Sequence, residues 1–405
     1  MPAYADRIQT MAGSAAIIRN LFNAMTDPET ISFGGGAPAK EALPVDIVRE
    51  LTMEIMTKDK EGITALQYGD PHGLYDLRKV VCDILMAPKG VKCSPEEVLI
   101  TTGGLETMNL LCEIFINPGD VILVESPTFV HCVEIFEMFQ AKCIAVETDE
   151  HGLVMEDVEK KIREYHPKMV YVVPTFQNPT GKTLPADRRK KLAELGSQYD
   201  VIILEDDPYR DIRYSGEDLP PIKTFDKDGH TVLANSFSKI FSPGARLGYV
   251  VATKELIELF YQMQTATISH TSMLTQVLCA EFFKRGYYPD HHKMICDLYR
   301  ERRDTMMECF DKYFPKGVTH TFPDGGMFTW TTCPDSVDTT ALLPEANRRK
   351  TAYFAGEGFY VEGGGKGKHS MRMSFVSNPP EKIEIGMQRL GSLIDEAASG
   401  HTFAV

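Results

Sequence analysis

Asn235-Ser236-Phe237-Ser238-Lys239-Ile240-Phe241-Ser242-Pro243-Gly244-Ala245-Arg246-Leu247-Gly248-Tyr249 lies between two short apolar runs, Val232-Leu233-Ala234 and Tyr249-Val250-Val251. A lysine between two buried strands is unusual, because an uncompensated ammonium is costly to remove from water. One escape is that the amine is condensed with a carbonyl. Ser236 and Ser238 add hydroxyl donors, and Arg246, seven residues after the lysine, adds a guanidinium fork suited to phosphate. An aldehyde that also carries a phosphate meets all of these features, and pyridoxal 5′-phosphate is such a compound. A surface loop with an incidental lysine is the other reading of the same residues.

Outward from this segment the chain reads as strand, helix, strand. Short β-branched apolar runs at 98–101, 121–124, 143–146, 170–173, 201–204, 231–234 and 248–251 predict seven strands. Continuous apolar runs of this kind belong to a mostly parallel sheet covered on both faces. Helical segments such as 106–115 and 187–199 separate most of them. The sixth and seventh runs are too close for a helical crossover, so one of them is expected to be antiparallel. Before the sheet, the pattern predicts helices at 14–25, 45–57 and 74–86, an extended piece at 31–33, and loops at 34–38 and 66–73. After it, residues 275–314 read as helical, 318–332 and 360–376 as strands broken by glycines, and 381–398 as a last helix. The expected plan is α/β: a large domain at 42–285, and a smaller domain built from the N-terminal segment 1–41 and from 286–405.

Composition narrows the function. The chain has 405 residues, 43% hydrophobic and 25% charged, as in an ordinary globular protein. A net charge of -14 argues against general nucleic-acid binding, which needs a basic face. None of the nine cysteines forms a Cys-x-x-Cys pair, and their odd number fits a reducing compartment. The first twenty residues lack a basic segment followed by a long apolar core, and no run is long enough to span a bilayer, so the expected location is the cytoplasm. No strand is followed by Gly-x-Gly-x-x-Gly, which sets aside a nicotinamide dehydrogenase.

Ligands of open α/β sheets collect at the carboxyl ends of the strands, and here those ends carry the unusual residues. The first strand ends in Thr101-Thr102-Gly103-Gly104-Leu105-Glu106, where free N–H groups at a helix start can bind phosphate. The second ends in Glu125-Ser126-Pro127-Thr128-Phe129, which brings an aromatic ring to the same crevice or simply to the core. The fourth leads into Phe176-Gln177-Asn178-Pro179-Thr180-Gly181, an amide donor or a plain turn. The fifth ends in Glu205-Asp206-Asp207-Pro208-Tyr209. A carboxylate there can keep a pyridine nitrogen protonated. A metal site is the alternative for these acids, but no histidine or second acidic cluster supports it.

Asn178-Pro179-Thr180-Gly181, Asp206-x-x-Tyr209, Ser236-x-Ser238-Lys239 and Arg246 occur in the order and spacing of fold-type I pyridoxal-phosphate enzymes. Over nearly its whole length the chain resembles the class I/II aminotransferases, closest to the branch containing 2-aminoadipate and kynurenine aminotransferases. The resemblance implies that Lys239 forms the internal aldimine, and that Asp206 pairs with the pyridinium nitrogen. It implies that Tyr209 and Asn178 hydrogen-bond the phenolic oxygen, and that Phe129 stacks on the ring where relatives usually carry tyrosine. Ser236, Ser238, Arg246 and the N–H groups of Gly104 and Leu105 fall to the phosphate. Tyr68 matches a tyrosine that reaches the phosphate across a dimer interface. Arg372, in Ser370-Met371-Arg372-Met373-Ser374, matches the arginine that takes the substrate carboxylate, and Gly36 a glycine whose backbone meets the same group. Arg19 lies where relatives read the substrate side chain.

The implied activity moves an amino group from an L-amino acid to a 2-oxo acid, commonly 2-oxoglutarate, in a homodimer with shared sites. A C–S β-lyase would use the same residues, and the two differ in their need for an oxo-acid acceptor. A pyridoxal-phosphate-binding transcription regulator would need a helix-turn-helix domain, for which the segment before the aminotransferase-like part is too short.

Overall fold

The computed structural model describes residues 3–10 and 29–403. The helix expected at 14–25 lies outside them.

Seven strands form the main sheet: β1 Val98–Thr101, β2 Val121–Glu125, β3 Lys142–Val146, β4 Met169–Val172, β5 Ile202–Asp206, β6 Thr231–Ser236 and β7 Gly248–Val251. Their order is β1-β7-β6-β5-β4-β2-β3. Only β7 runs antiparallel, between β1 and β6, which settles the choice left open by the short connection from β6. Every residue of β1, β4, β6 and β7 is buried. The side-chain period of two divides each strand between two layers. Leu99, Val232, Ala234 and Val250 join a core with Met108 and Leu111, whereas Ile100, Leu233 and Tyr249 join one with Leu77, Phe282 and Phe283. Both faces are therefore apolar, and the strands read as continuous hydrophobic runs rather than alternating ones.

The second sheet is antiparallel: β8 Thr319–His320, β9 Phe328–Thr332, β10 Phe354–Ala355 and β11 Ser370–Ser374, in the order β8-β9-β11-β10. Two long helices, Tyr288–Tyr313 and Pro380–Ala398, pack against each other beside it. Ile31–Ser32 pairs in parallel with Thr351–Ala352, so the start of the chain is stitched to its last third.

Two expectations are corrected. Residues 275–314 are not one helical run. Helix Met273–Lys284 ends before Gly286, which has φ +77°, and a new helix begins at Tyr288. Within 360–376 only Ser370–Ser374 is a strand. Gly363, Gly364, Gly365 and Gly367 all have positive φ, and the segment before the strand is a series of turns. Among the described residues no helix is long and apolar enough to cross a membrane.

Candidate active site

The carboxyl ends of β1, β2, β4, β5 and β6 face one crevice beside the second sheet. Three acids close β5 and its exit, and their surroundings differ. Glu205 turns away and accepts hydrogen bonds from the N–H groups of Ile222 and Lys223, both at 2.8 Å. Asp207 is ion-paired to the buried Arg210. Among the described residues Asp206 has no cation beside it. Its Oδ2 accepts a hydrogen bond from the Tyr171 hydroxyl at 2.8 Å, and burial raises its carboxyl to about 7. A buried carboxylate with no cation is a costly arrangement, and it sits where the sequence places a partner for a ring nitrogen.

Lys239 follows β6. Its half-buried amine donates to the Gly36 carbonyl at 2.9 Å and stands 6.0 Å from the centre of the Tyr209 ring. Burial, then the nearby Arg372 and Arg246, lowers it from 10.5 to about 8. Arg372, on β11, is buried and donates to Asn178 Oδ1 at 2.8 Å and to the Gly34 carbonyl at 2.6 Å. Its guanidinium lies 4.2 Å from the centre of the Phe328 ring and 5.1 Å from those of Phe354 and Phe359. Its Nε is buried with no hydrogen-bond partner among the described residues, and burial lowers the group to about 10. Asn178 Nδ2 donates to the Tyr209 hydroxyl at 3.2 Å, so Tyr209, Asn178 and Arg372 form one chain. The loop carrying Asn178 is fixed from both sides. Gln177 Nε2 donates to the Pro127 carbonyl, and Gln177 Oε1 accepts from the N–H and hydroxyl of Thr180.

A third group gathers where helix Gly104–Phe115 begins. The Ser236 hydroxyl lies 2.8 Å from that of Ser238 and 3.1 Å from the Ser238 N–H. Gly104 is close enough that a Cβ there would stand 3.6 Å from Ser236 Cβ. Arg246, exposed, donates to the Thr102 carbonyl at 3.4 Å, and a Cβ at Gly103 would strike its guanidinium. Gly103 also has φ +81°, so this turn needs glycine on two counts. Leu105 lies in the first turn of the same helix. Serine hydroxyls, a guanidinium and a helix start converge here as an anion site does.

The remaining candidates are placed as follows. Phe129 is partly buried at the start of helix Val130–Met138, tilted against His131 at 5.3 Å. The Gly36 carbonyl faces Lys239, while the carbonyl of Gly34 takes the arginine. Tyr68 makes no hydrogen bond to any of these groups. It is 86% exposed and packs edge-on to His270 at 5.7 Å. Arg19 lies outside the described residues. Sequence reasoning passed over Gly34, Tyr171 and the rings of Phe328, Phe354 and Phe359. One signal was present for Tyr171, since a hydroxyl within an otherwise aliphatic strand needs a partner.

Residues 28–390 match the family described as aminotransferase class I and II. The chain belongs to that family. It is 36% identical to aromatic-amino-acid aminotransferase 1 of Thermococcus litoralis, over 94% of this chain and 92% of that protein. It is 32% identical to the 2-aminoadipate transaminase of Thermus thermophilus, over 96% and 94%. The crystal structure of Pyrococcus horikoshii kynurenine aminotransferase, in complex with the amine form of the cofactor, superposes with a TM-score of 0.91 at 36% identity, covering 97% of each chain. The protein is thus an aminotransferase that works with pyridoxal phosphate, and its groups fit that cofactor. An amine lowered to about 8 suits an aldehyde, an unpaired buried carboxylate suits a ring nitrogen, and the cradle at Gly103 suits a phosphate. The unpartnered Nε of this aminotransferase's Arg372 leaves a cation free for a substrate carboxylate.

Proposed function

We propose that this aminotransferase takes an L-amino acid with an aromatic or 2-aminoadipate-like side chain as donor and 2-oxoglutarate as acceptor, with each residue acting as follows. One observation carries the residue roles: Lys239, Asp206 and Arg372 meet in one crevice, and none has a counter-ion among the described residues. When bound, pyridoxal phosphate supplies an aldehyde that condenses with amines and a protonated ring that accepts the electron pair left at Cα. Lys239 Nζ would hold the cofactor through its aldehyde, and as a free amine it would be the base that takes the proton from the substrate Cα. Burial and the nearby Arg372 and Arg246 lower its basicity, which favours the neutral amine that such work needs. Asp206 keeps the proton on the ring nitrogen. Tyr209 and Asn178 hydrogen-bond the phenolic oxygen, and Phe129 covers one ring face. Ser236, Ser238, Arg246 and the N–H groups of Gly104 and Leu105 would hold the phosphate. Arg372 takes the substrate carboxylate, with the backbone near Gly36 closing over it.

The donor class rests on the names of the relatives and on the rings around Arg372. Phe328, Phe354 and Phe359 surround the guanidinium, and Trp330 meets Phe359 edge-on at 5.7 Å. A side chain leaving a carboxylate held there meets aromatic surface.

The functional unit is a homodimer in which Tyr68 serves the neighbour's phosphate. Its setting supports this: Met53, Ile63 and Leu66 are large, apolar and exposed on the helices before it, and an exposed apolar patch of this kind suits a partner.

The test is a panel of amino donors assayed with 2-oxoglutarate, run alongside borohydride reduction and mass spectrometry of the holoenzyme. Aromatic donors, kynurenine or 2-aminoadipate should give the highest kcat/KM, and the pyridoxyl adduct should map to Lys239. A clear preference for alanine or aspartate sinks the donor class, and an adduct on another lysine sinks the site.

A further inference from the structure

We propose that Tyr171 is a positioning residue for amino transfer: its hydroxyl holds one oxygen of Asp206, leaving the other carboxylate oxygen aimed at the cofactor's ring nitrogen. This rests on the assignment of Asp206 to that nitrogen.

The geometry follows from the sheet register. Tyr171 on β4 pairs with Leu204 on β5, and the period of two brings Asp206 to the same face as Leu204. The tyrosine hydroxyl therefore reaches toward the end of the neighbouring strand and donates to Asp206 Oδ2 at 2.8 Å. Tyr171 is fully buried, and its ring is held edge-on by Phe136 at 5.6 Å. A buried phenol must place its proton on an acceptor; the Cys132 sulfur is also in reach, and the Asp206 carboxylate, at 2.8 Å, is the stronger acceptor.

Among the described residues the charged and titratable groups around Asp206 are Tyr171, Asp207, Tyr209, Glu125 and Cys132. None is a cation. Asp207 disfavours the ionised form of Asp206, and Tyr171 alone favours it through a hydrogen bond. A donor to a carboxylate makes it less basic. With the donor gone, the carboxylate competes better for the proton it shares with the ring nitrogen, and it is free to turn. Tyr171 touches neither the substrate carboxylate site at Arg372 nor the phosphate cradle, so its loss should leave those contacts alone.

The experiment uses holoenzyme loaded with cofactor labelled with 15N at the ring nitrogen. Tyr171→Phe should retain a full complement of cofactor while its 15N resonance moves toward the neutral pyridine position. Its kcat should fall about tenfold, the scale of one hydrogen bond to a charged group, with KM for donor and oxo acid nearly unchanged. A ring-fluorinated tyrosine placed at 171 is a stronger donor of nearly the same shape. It should move the resonance in the opposite direction, and it decides the matter if Tyr171→Phe folds poorly. An unmoved resonance in both variants overturns the proposal. Asp206→Asn separates the two layers of the argument. If it moves the resonance and the Tyr171 variants do not, only the role of Tyr171 falls. If it too leaves the resonance in place, the assignment of Asp206 is wrong.

Discussion

The two ends of the site are built on different terms. At the proposed ring and substrate end, Asp206 and Arg372 are buried and Lys239 half-buried, and among the described residues none has an opposite charge beside it. At the phosphate end, Arg246 is exposed and the two serine hydroxyls already bond each other. Water can serve the phosphate end when no ligand is present, so its groups rest at little cost. On the proposed assignment the ring end is arranged for charged groups of the cofactor and substrate. Substitutions at the ring end should therefore be severe, and those at the phosphate end graded.

The sharpest break would come from Lys239. Lys239→Ala removes the covalent anchor and the base together. General-base catalysis alone contributes about 10²–10⁴-fold, so turnover should fall to the upper end of that range or beyond, while the phosphate cradle still binds cofactor noncovalently. Absorbance after gel filtration, with single-turnover kinetics, checks both statements. Substantial residual turnover would show that the ring end is not the reacting end. Asp206→Asn comes next. It keeps the shape of the side chain and loses its charge, so kcat should drop by about 10²–10³-fold, as for removal of a preorganised electrostatic contact. Near-normal turnover with an intact fold would mean that the ring nitrogen is held some other way.

A stability measurement sharpens the contrast without any turnover. In the cofactor-free protein Lys239 is lowered from 10.5 to about 8, chiefly by burial. Between those values the unfolded chain binds more protons than the folded one, so stability rises with pH across the window. The penalty is complete below about pH 8 and gone above 10.5. Cofactor-free Lys239→Met should accordingly be more stable than wild type at pH 7, by on the order of 2–3 kcal/mol. Denaturant titrations at pH 7 and 10.5 should show the gap closing. A gap that does not change with pH would trace the effect to packing instead of charge.

Much of this contrast was legible in the chain. The run from Asn235 to Tyr249 carries its own strand, turn and strand, and the seven apolar runs match the seven strands closely because a doubly covered sheet needs no alternation. Asp206, Asn178 and Lys239 stood out because they follow strand ends, and the resemblance to the class I/II aminotransferases supplied the roles proposed for them and for Tyr209. What stayed hidden depends on distant contacts. Glu205 and Asp207 look equivalent to Asp206 until Arg210 and the Ile222 N–H are seen to occupy them. Tyr171 meets Asp206 only through the pairing of β4 with β5, and Gly34 meets Arg372 across 338 residues. The glycines at 363–365 read correctly as a break, but strand was expected on both sides of them and only Ser370–Ser374 forms one, because only it finds pairing partners.

The mildest effect, and the one that extends the contrast to the neighbouring subunit, belongs to Tyr68. It lies about thirty residues before β1, in a loop rich in glycine and proline, and its side chain is exposed. Gly69 N–H, its neighbour, approaches His270 Nε2 at 3.4 Å. Thr271 then bonds Thr102, whose carbonyl accepts from Arg246. A tyrosine hydroxyl on a phosphate dianion should contribute on the order of 1.5–3 kcal/mol, the range for hydrogen bonds to charged groups. Tyr68→Phe should therefore release cofactor more readily at limiting concentration and leave the dimer intact. Mixing Tyr68→Phe with Lys239→Ala subunits tests whose phosphate it serves. If the site is shared, the heterodimer collects both lesions in one site and leaves the other whole, so cofactor retention and activity should return together. If each site is self-contained, every site keeps one defect and mixing restores nothing. Heterodimers that demonstrably form and stay defective, or a native enzyme that is an active monomer by light scattering, would return Tyr68 to the surface as an ordinary exposed residue.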